Sequence, residues 1–129
     1  MITLIWCLII AALLPYFAKV PVAMAMNKSG GYDNNHPREQ QANLTGFGAR
    51  ALAAHQNAFE SLIVFATAIL LAIATNTTNE TVQLLAMIHI VARVAYNALY
   101  LLNIGTLRSI VWAVAIVCSF AIMWQCIPS

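Results

Sequence analysis

Polar positions in this chain are confined to a few short stretches, and four long apolar runs lie between them, at residues 2–26, about 46–75, 82–104 and 106–127. None of the runs alternates with a period of two. Each is near the roughly 20 residues an α-helix needs to cross a bilayer core, whereas a barrel strand needs only about 10. The pattern predicts an all-α fold, an integral membrane four-helix bundle forming a single domain over residues 1–129. Composition excludes the soluble alternative: 62% of residues are hydrophobic and 8% charged, against roughly 25% charged in ordinary soluble domains. The first run carries V-A-M-A at residues 22–25, which resembles a secretory cleavage site. No Lys or Arg precedes Lys19, so the basic start of a signal peptide is missing and a retained helix is expected. Pro15 and Pro21 are tolerable there as kinks, because neighbouring helices re-satisfy the freed backbone groups.

The polar loop over residues 27–44 is the only sizeable one, and it reads equally well as a solvated connector or as a lid. Gly30, Gly31 and Pro37 argue against a helix throughout it. With four crossings, this loop and the third share one side of the membrane. Lys19, Lys28, Arg38, Arg50, Arg93 and Arg108 all lie in or lean toward those two loops, and N-T-T-N-E-T on the other side has no basic residue. Because Lys and Arg accumulate on the cytoplasmic side, both termini are expected to face away from the cytoplasm. A net charge of +2 without a basic run excludes nucleic acid as a partner. Cys7, Cys118 and Cys126 form no metal pattern, so no metal is expected, and they read as small buried residues. A disulfide between Cys7 and Cys126 stays open, since the two lie at similar depth. Asn76 and Asn79 sit in N-x-T sequons that a polar turn explains more simply.

Ionisable groups inside spanning segments are expensive and mark candidate sites. On the second long helix, Arg50, Asn57 and Ser61 share a face with Glu60 at its edge, while His55 points elsewhere as a packing residue. On the third, His89, Arg93, Tyr96, Asn97 and Tyr100 form one stripe. Glu60 and Arg93 each lie ~10 residues from the cytoplasmic end, about 15 Å of helix rise, so the two are expected to meet. One reading is an interhelical ion pair tied in by hydrogen-bonding tyrosines. The other is an anion pocket, because three arginines exceed what one carboxylate needs and guanidinium forks suit carboxylates.

The order and spacing of these residues carry a resemblance. Arg50 followed by Asn57-x-x-Glu60, then Arg93-x-x-Tyr96-x-x-x-Tyr100, then Arg108-Ser109, is similar to the MAPEG superfamily, membrane-associated proteins in eicosanoid and glutathione metabolism. The similarity covers the last three long helices, and the overall length fits the family. It implies a homotrimer with glutathione held between subunits near the cytoplasmic face. By this resemblance Arg50, Asn57, Glu60, Arg93, Tyr96 and Tyr100 bind the tripeptide, and Arg108 is the catalytic, thiol-activating residue. A fixed guanidinium favours thiolate over thiol, and thiolate is the nucleophile. Ala53 departs from the pattern, standing where the eicosanoid enzymes have a further arginine, which bears on glutathione affinity and on eicosanoid activity alike.

The expected function is therefore that of a membrane glutathione transferase or peroxidase, with glutathione as co-substrate and a lipophilic electrophile or hydroperoxide arriving through membrane lipid. The second expectation is a non-catalytic lipid-binding protein or an accessory subunit of a membrane complex. A transporter ranks third, since the outer halves of the first and fourth helices lack polar residues. The short chain and spare loops resemble bacterial members, which points to a bacterial inner membrane.

Overall fold

A computed structural model describes residues 1–129, and every regular element in it is helical. In chain order these are α1 (Ile2–Lys28), α2 (Pro37–Ala42), α3 (Phe47–Ala74), α4 (Glu80–Leu101) and α5 (Gly105–Gln125). All but α2 are long and apolar enough to cross a membrane. The runs therefore match their predicted elements, and the first run forms a helix that packs on the bundle. Pro15 and Pro21 both lie inside α1 without breaking it.

Two boundaries differ from expectation for local reasons. The loop contains α2, which Pro37 opens: a proline at the first helical position loses only an N–H that has no helical partner. Further along, α4 stops at Leu101 because Asn103 takes a left-handed backbone, φ 61°. The two sequon asparagines serve the turn between α3 and α4. Asn76 sits at φ 55°, and Asn79 caps α4 by accepting a hydrogen bond from the Val82 N–H at 3.0 Å.

Small side chains draw the helices together. Ala51, Ala54, Ala58, Ala68 and Ala72 form the buried stripe of α3, Ala86 of α4 shares a core with Ala68 and Ala72, and Ala92 and Ala115 are buried on α4 and α5. Without a hydrophobic force between helices in lipid, such stripes let backbones approach and gain dispersion contacts. Large apolar side chains point outward instead: Ile63, Val91 and Trp124 are 70%, 69% and 73% exposed. That inversion of soluble-protein logic suits a lipid surround. The main core holds Phe65, Ile69, Val82 and Ile122 toward the end of the termini. A smaller cluster of Val22, Met26 and Ala51 lies at the other end, beneath the 29–46 loop. Cys7, Cys118 and Cys126 are buried free thiols, so the open disulfide between Cys7 and Cys126 is not formed.

Candidate functional site

Two helix pairs, α1 with α3 and α4 with α5, dominate the packing, and α3 also packs on α4 and α5. This arrangement sets Asn57 of α3 opposite Arg93 of α4. The Arg93 side chain is only 2% exposed. A guanidinium so far from water needs partners, because a buried charge without them is costly. Its Nη1 donates to Asn57 Oδ1 at 2.8 Å, and its Cζ stands 4.2 Å from the Tyr96 ring centroid. Its Nη2 is buried with no partner at all.

From Arg93 the aromatic rings lead toward the loop end. Tyr96 meets Tyr100 edge to face with centroids 5.6 Å apart, and the Arg108 guanidinium lies 4.4 Å over the Tyr100 ring. Tyrosine faces attract cations, so the two rings hold an arginine at each end of one file. Arg108 occupies the first turn of α5, where the helix dipole disfavours a positive charge. No carboxylate comes within the 4.0 Å of an ion pair to offset it. Beside it a cleft of about 220 Å³ opens between Tyr96, Tyr100, Arg108, Ser109 and Trp112. Ser109 Oγ donates back to the Gly105 carbonyl at 3.1 Å, leaving its lone pairs available.

Three buried side-chain polar atoms have no partner in the chain: Arg50 Nε, Arg93 Nη2 and Asn97 Oδ1. All three lie toward the loop end of the bundle. Native structures leave few such atoms unpaired, and each of the three is a polar group that the single chain leaves unmet. Two of the three are cationic donors, the kind of group that an anion would satisfy.

The structure thus brings together Asn57, Arg93, Tyr96, Tyr100 and Arg108. Arg50 and Glu60 make no direct contact with them: Arg50 is half-buried with its Nε unpartnered, and Glu60 is exposed, though near enough for its charge to act on Arg93 and Tyr96. The expected ion pair between Glu60 and Arg93 is not formed, and Asn57 takes that place. The reason is rotational. Three residues on, Glu60 is turned roughly 60° from Asn57 about the helix axis, enough to carry it from the α4 contact to the outer surface.

His89 shares the stripe of Arg93 but serves packing. Its Nδ1 donates to the Ala115 carbonyl at 3.0 Å, and its ring stacks on Phe65 at 3.9 Å. His55 is a helix-contact residue as expected, donating from Nδ1 to the Pro15 carbonyl at 2.7 Å. Sequence reasoning missed Trp112 and the unpaired Asn97 oxygen. The signal for Trp112 was its place four residues after Arg108, one turn along the same face.

Four membrane-length helices that carry an arginine–tyrosine file define a multi-pass membrane protein with a polar candidate site. The MAPEG family model matches residues 3–128, essentially the whole chain, and the protein belongs to the MAPEG family. It is accordingly an integral multi-pass membrane protein, related at the level of the family to glutathione or eicosanoid metabolism. No curated protein and no solved structure matches the chain.

Proposed function

We propose that the protein is a membrane glutathione transferase or peroxidase. The observation that carries the reading is the file from Arg93 to Arg108, with an unpartnered Nη2 at one end and a cation without a counter-ion at the other. Glutathione supplies two carboxylates and a thiol to such a file. Arg93 and Arg50 bind carboxylate, Asn57 fixes the Arg93 guanidinium, and Tyr96 and Tyr100 wall the tripeptide. Arg108 stabilises the thiolate once the thiol proton has left to solvent. Attack on an electrophilic carbon then forms a C–S bond as the leaving group departs with its electron pair. Attack on a hydroperoxide forms S–O and breaks O–O, and the alkoxide takes a proton to become alcohol. A second glutathione converts the sulfenic acid to disulfide and water.

Glu60 on the outer surface and the half-buried Arg50 fit a homotrimer in which a neighbour completes each site. With all six Lys and Arg leaning toward the loop end, that end faces the cytoplasm and both termini face away from it. A bacterial inner membrane is the setting this reading favours.

The test is turnover by detergent-purified protein given glutathione with a generic electrophile or a lipid hydroperoxide. Conjugate or alcohol above background, lost in Arg108→Ala, is expected. Intact protein that shows neither turnover nor glutathione binding at millimolar concentration instead describes the alternative, a non-catalytic lipid-binding or accessory subunit, which the missing arginine at Ala53 favours.

A further inference from the structure

A pocket of about 160 Å³ lies between α1, α3 and α4 and shares no residue with the cleft beside Arg108. Phe17 and Pro21 of α1, Ala51 and Ala54 of α3, and Val94 and Asn97 of α4 are among its walls, and no charged side chain lines it. Phe17 and Val94 are 67% and 52% exposed, so the mouth of the pocket faces lipid. Asn97 lies four residues before the end of α4 and Pro21 seven before the end of α1, roughly 6 and 10 Å of helix rise. The pocket therefore sits just inside the loop-end interface of the membrane.

Asn97 is the one polar side chain in this wall, and its amide has a fixed orientation. Nδ2 donates to the Arg93 carbonyl at 3.0 Å, which an oxygen could not do, so Oδ1 is the atom left over. That oxygen is buried and has no partner in the chain. Pro21, for its part, has no N–H to offer the Phe17 carbonyl four residues earlier, which removes that acceptor's ordinary helical donor. The walls are thus apolar, and what the polar atoms among them lack is a donor.

A ligand that fits brings an apolar body and one O–H. An anion does not fit, since a carboxylate or phosphate adds acceptors and a charge with no cation in the walls to meet it. An acyl chain fits the walls and leaves the amide oxygen unmet. The volume suits a single ring, for an apolar cavity of roughly 150 Å³ accommodates benzene. A phenol adds to that ring a hydroxyl that keeps its proton at neutral pH. The depth agrees, because the phenol rings of tyrosine concentrate at membrane–water interfaces, apolar body inward and hydroxyl toward polar ground.

We propose that this pocket binds a lipid-soluble phenol, its ring between Phe17, Pro21 and the alanines of α3 and its O–H donated to Asn97 Oδ1. Binding needs no glutathione, so the inference stands or falls separately from the function proposed above.

The experiment labels the detergent-purified full chain, without glutathione, with a phenol that carries a photoreactive diazirine. The methyl ether of that probe is used in parallel, and adducts are mapped by peptide mass spectrometry. The phenol should label residues 14–21 and 51–54. Excess para-cresol should displace it at about fivefold lower concentration than para-methylanisole, the factor that corresponds to one ordinary hydrogen bond. Asn97→Leu should remove that preference and leave the anisole competing as before. Ala18→Phe, in the half-buried wall of α1, should abolish labelling by both probes, and it keeps the test decisive if Asn97→Leu disturbs α4. Adducts confined to residues 108–112, equal competition by phenol and ether, or a preference that survives Asn97→Leu overturns the proposal. So does the absence of any adduct, the result expected if a second copy of the chain covers the mouth.

Discussion

Asn57→Ala tests whether Arg93 is held as the structure describes. Arg93 is 2% exposed and has one hydrogen-bond partner, Asn57 Oδ1 at 2.8 Å, with Nη2 already unpaired. Removing Asn57 leaves both terminal nitrogens without partners in a buried setting. A hydrogen bond to a charged group contributes about 1.5–3 kcal/mol, so that loss is expected for Asn57→Ala. Arg93→Leu removes the charge with its unmet donors and keeps the volume, so it should cost about 1 kcal/mol or less, chiefly the Tyr96 cation–π contact. In that background Asn57→Ala has nothing left to break, and the coupling between the two should be at least about 1.5 kcal/mol. Glu60→Gln should shift stability by no more than about 0.5 kcal/mol, since the exposed carboxylate forms no direct ion pair and acts on Arg93 only through space. Reversible unfolding in mixed micelles, followed by circular dichroism without glutathione, measures all four variants. Equal losses from Asn57→Ala in both backgrounds would refute the reasoning, and coupling to Glu60 instead would restore the ion pair.

Three further outcomes follow from particular contacts. A Cβ added at Gly48 would stand 3.1 Å from Ala25 Cβ and 3.2 Å from Leu44 Cβ, so Gly48→Val should destabilise the bundle by about 1–3 kcal/mol in the same unfolding assay. His55→Ala severs the link to the Pro15 carbonyl and should cost about 1 kcal/mol, with turnover retained in a thermal-shift and activity pair. Arg108→Ala should remove the ultraviolet thiolate absorbance of the glutathione complex, returning the thiol toward its free value near ~8.5, while affinity stays within about tenfold. Arg93→Ala should instead weaken equilibrium binding first, and an unchanged thiolate titration in Arg108→Ala would reduce that residue to an anchor at the start of α5.

The four spans were legible because lipid makes the hydropathy signal long and unbroken. The short helix α2 was not, since Gly30 and Gly31 speak for the first half of the loop and Pro37 starts a helix as readily as it breaks one. The site was legible in its residue types and, for the most part, in its grouping. Its pairing was not, because heptad-scale spacing fixes angles within a helix and leaves the rotation of one helix against the next undetermined. The alanines carried that information. Ala51, Ala54, Ala58, Ala68 and Ala72 mark the packed face of α3. At 100° per residue, Asn57 lies roughly 75° from the centre of that face and Glu60 roughly 135°. The amide was the better-placed partner for α4, although charge complementarity favoured the carboxylate.

Charge segregation underlies the proposed site. The six basic residues all lie toward the loop end, whereas Glu80 lies at the opposite end and Asp33 is engaged by its own turn. No ion pair forms anywhere in the chain within 4.0 Å. Such an arrangement sacrifices stability in the empty protein, since Arg93 and Lys19 sit where desolvated charge is costly. On the proposed reading, the missing counter-ion is the ligand itself. A molecule that binds only the folded state adds RT ln(1 + [L]/Kd), about 2.7 kcal/mol at a hundredfold excess over Kd. An anion bound as proposed should therefore stabilise the fold by supplying charge that the sequence withholds, and the unpaired Nη2 of Arg93 is the buried donor it would meet.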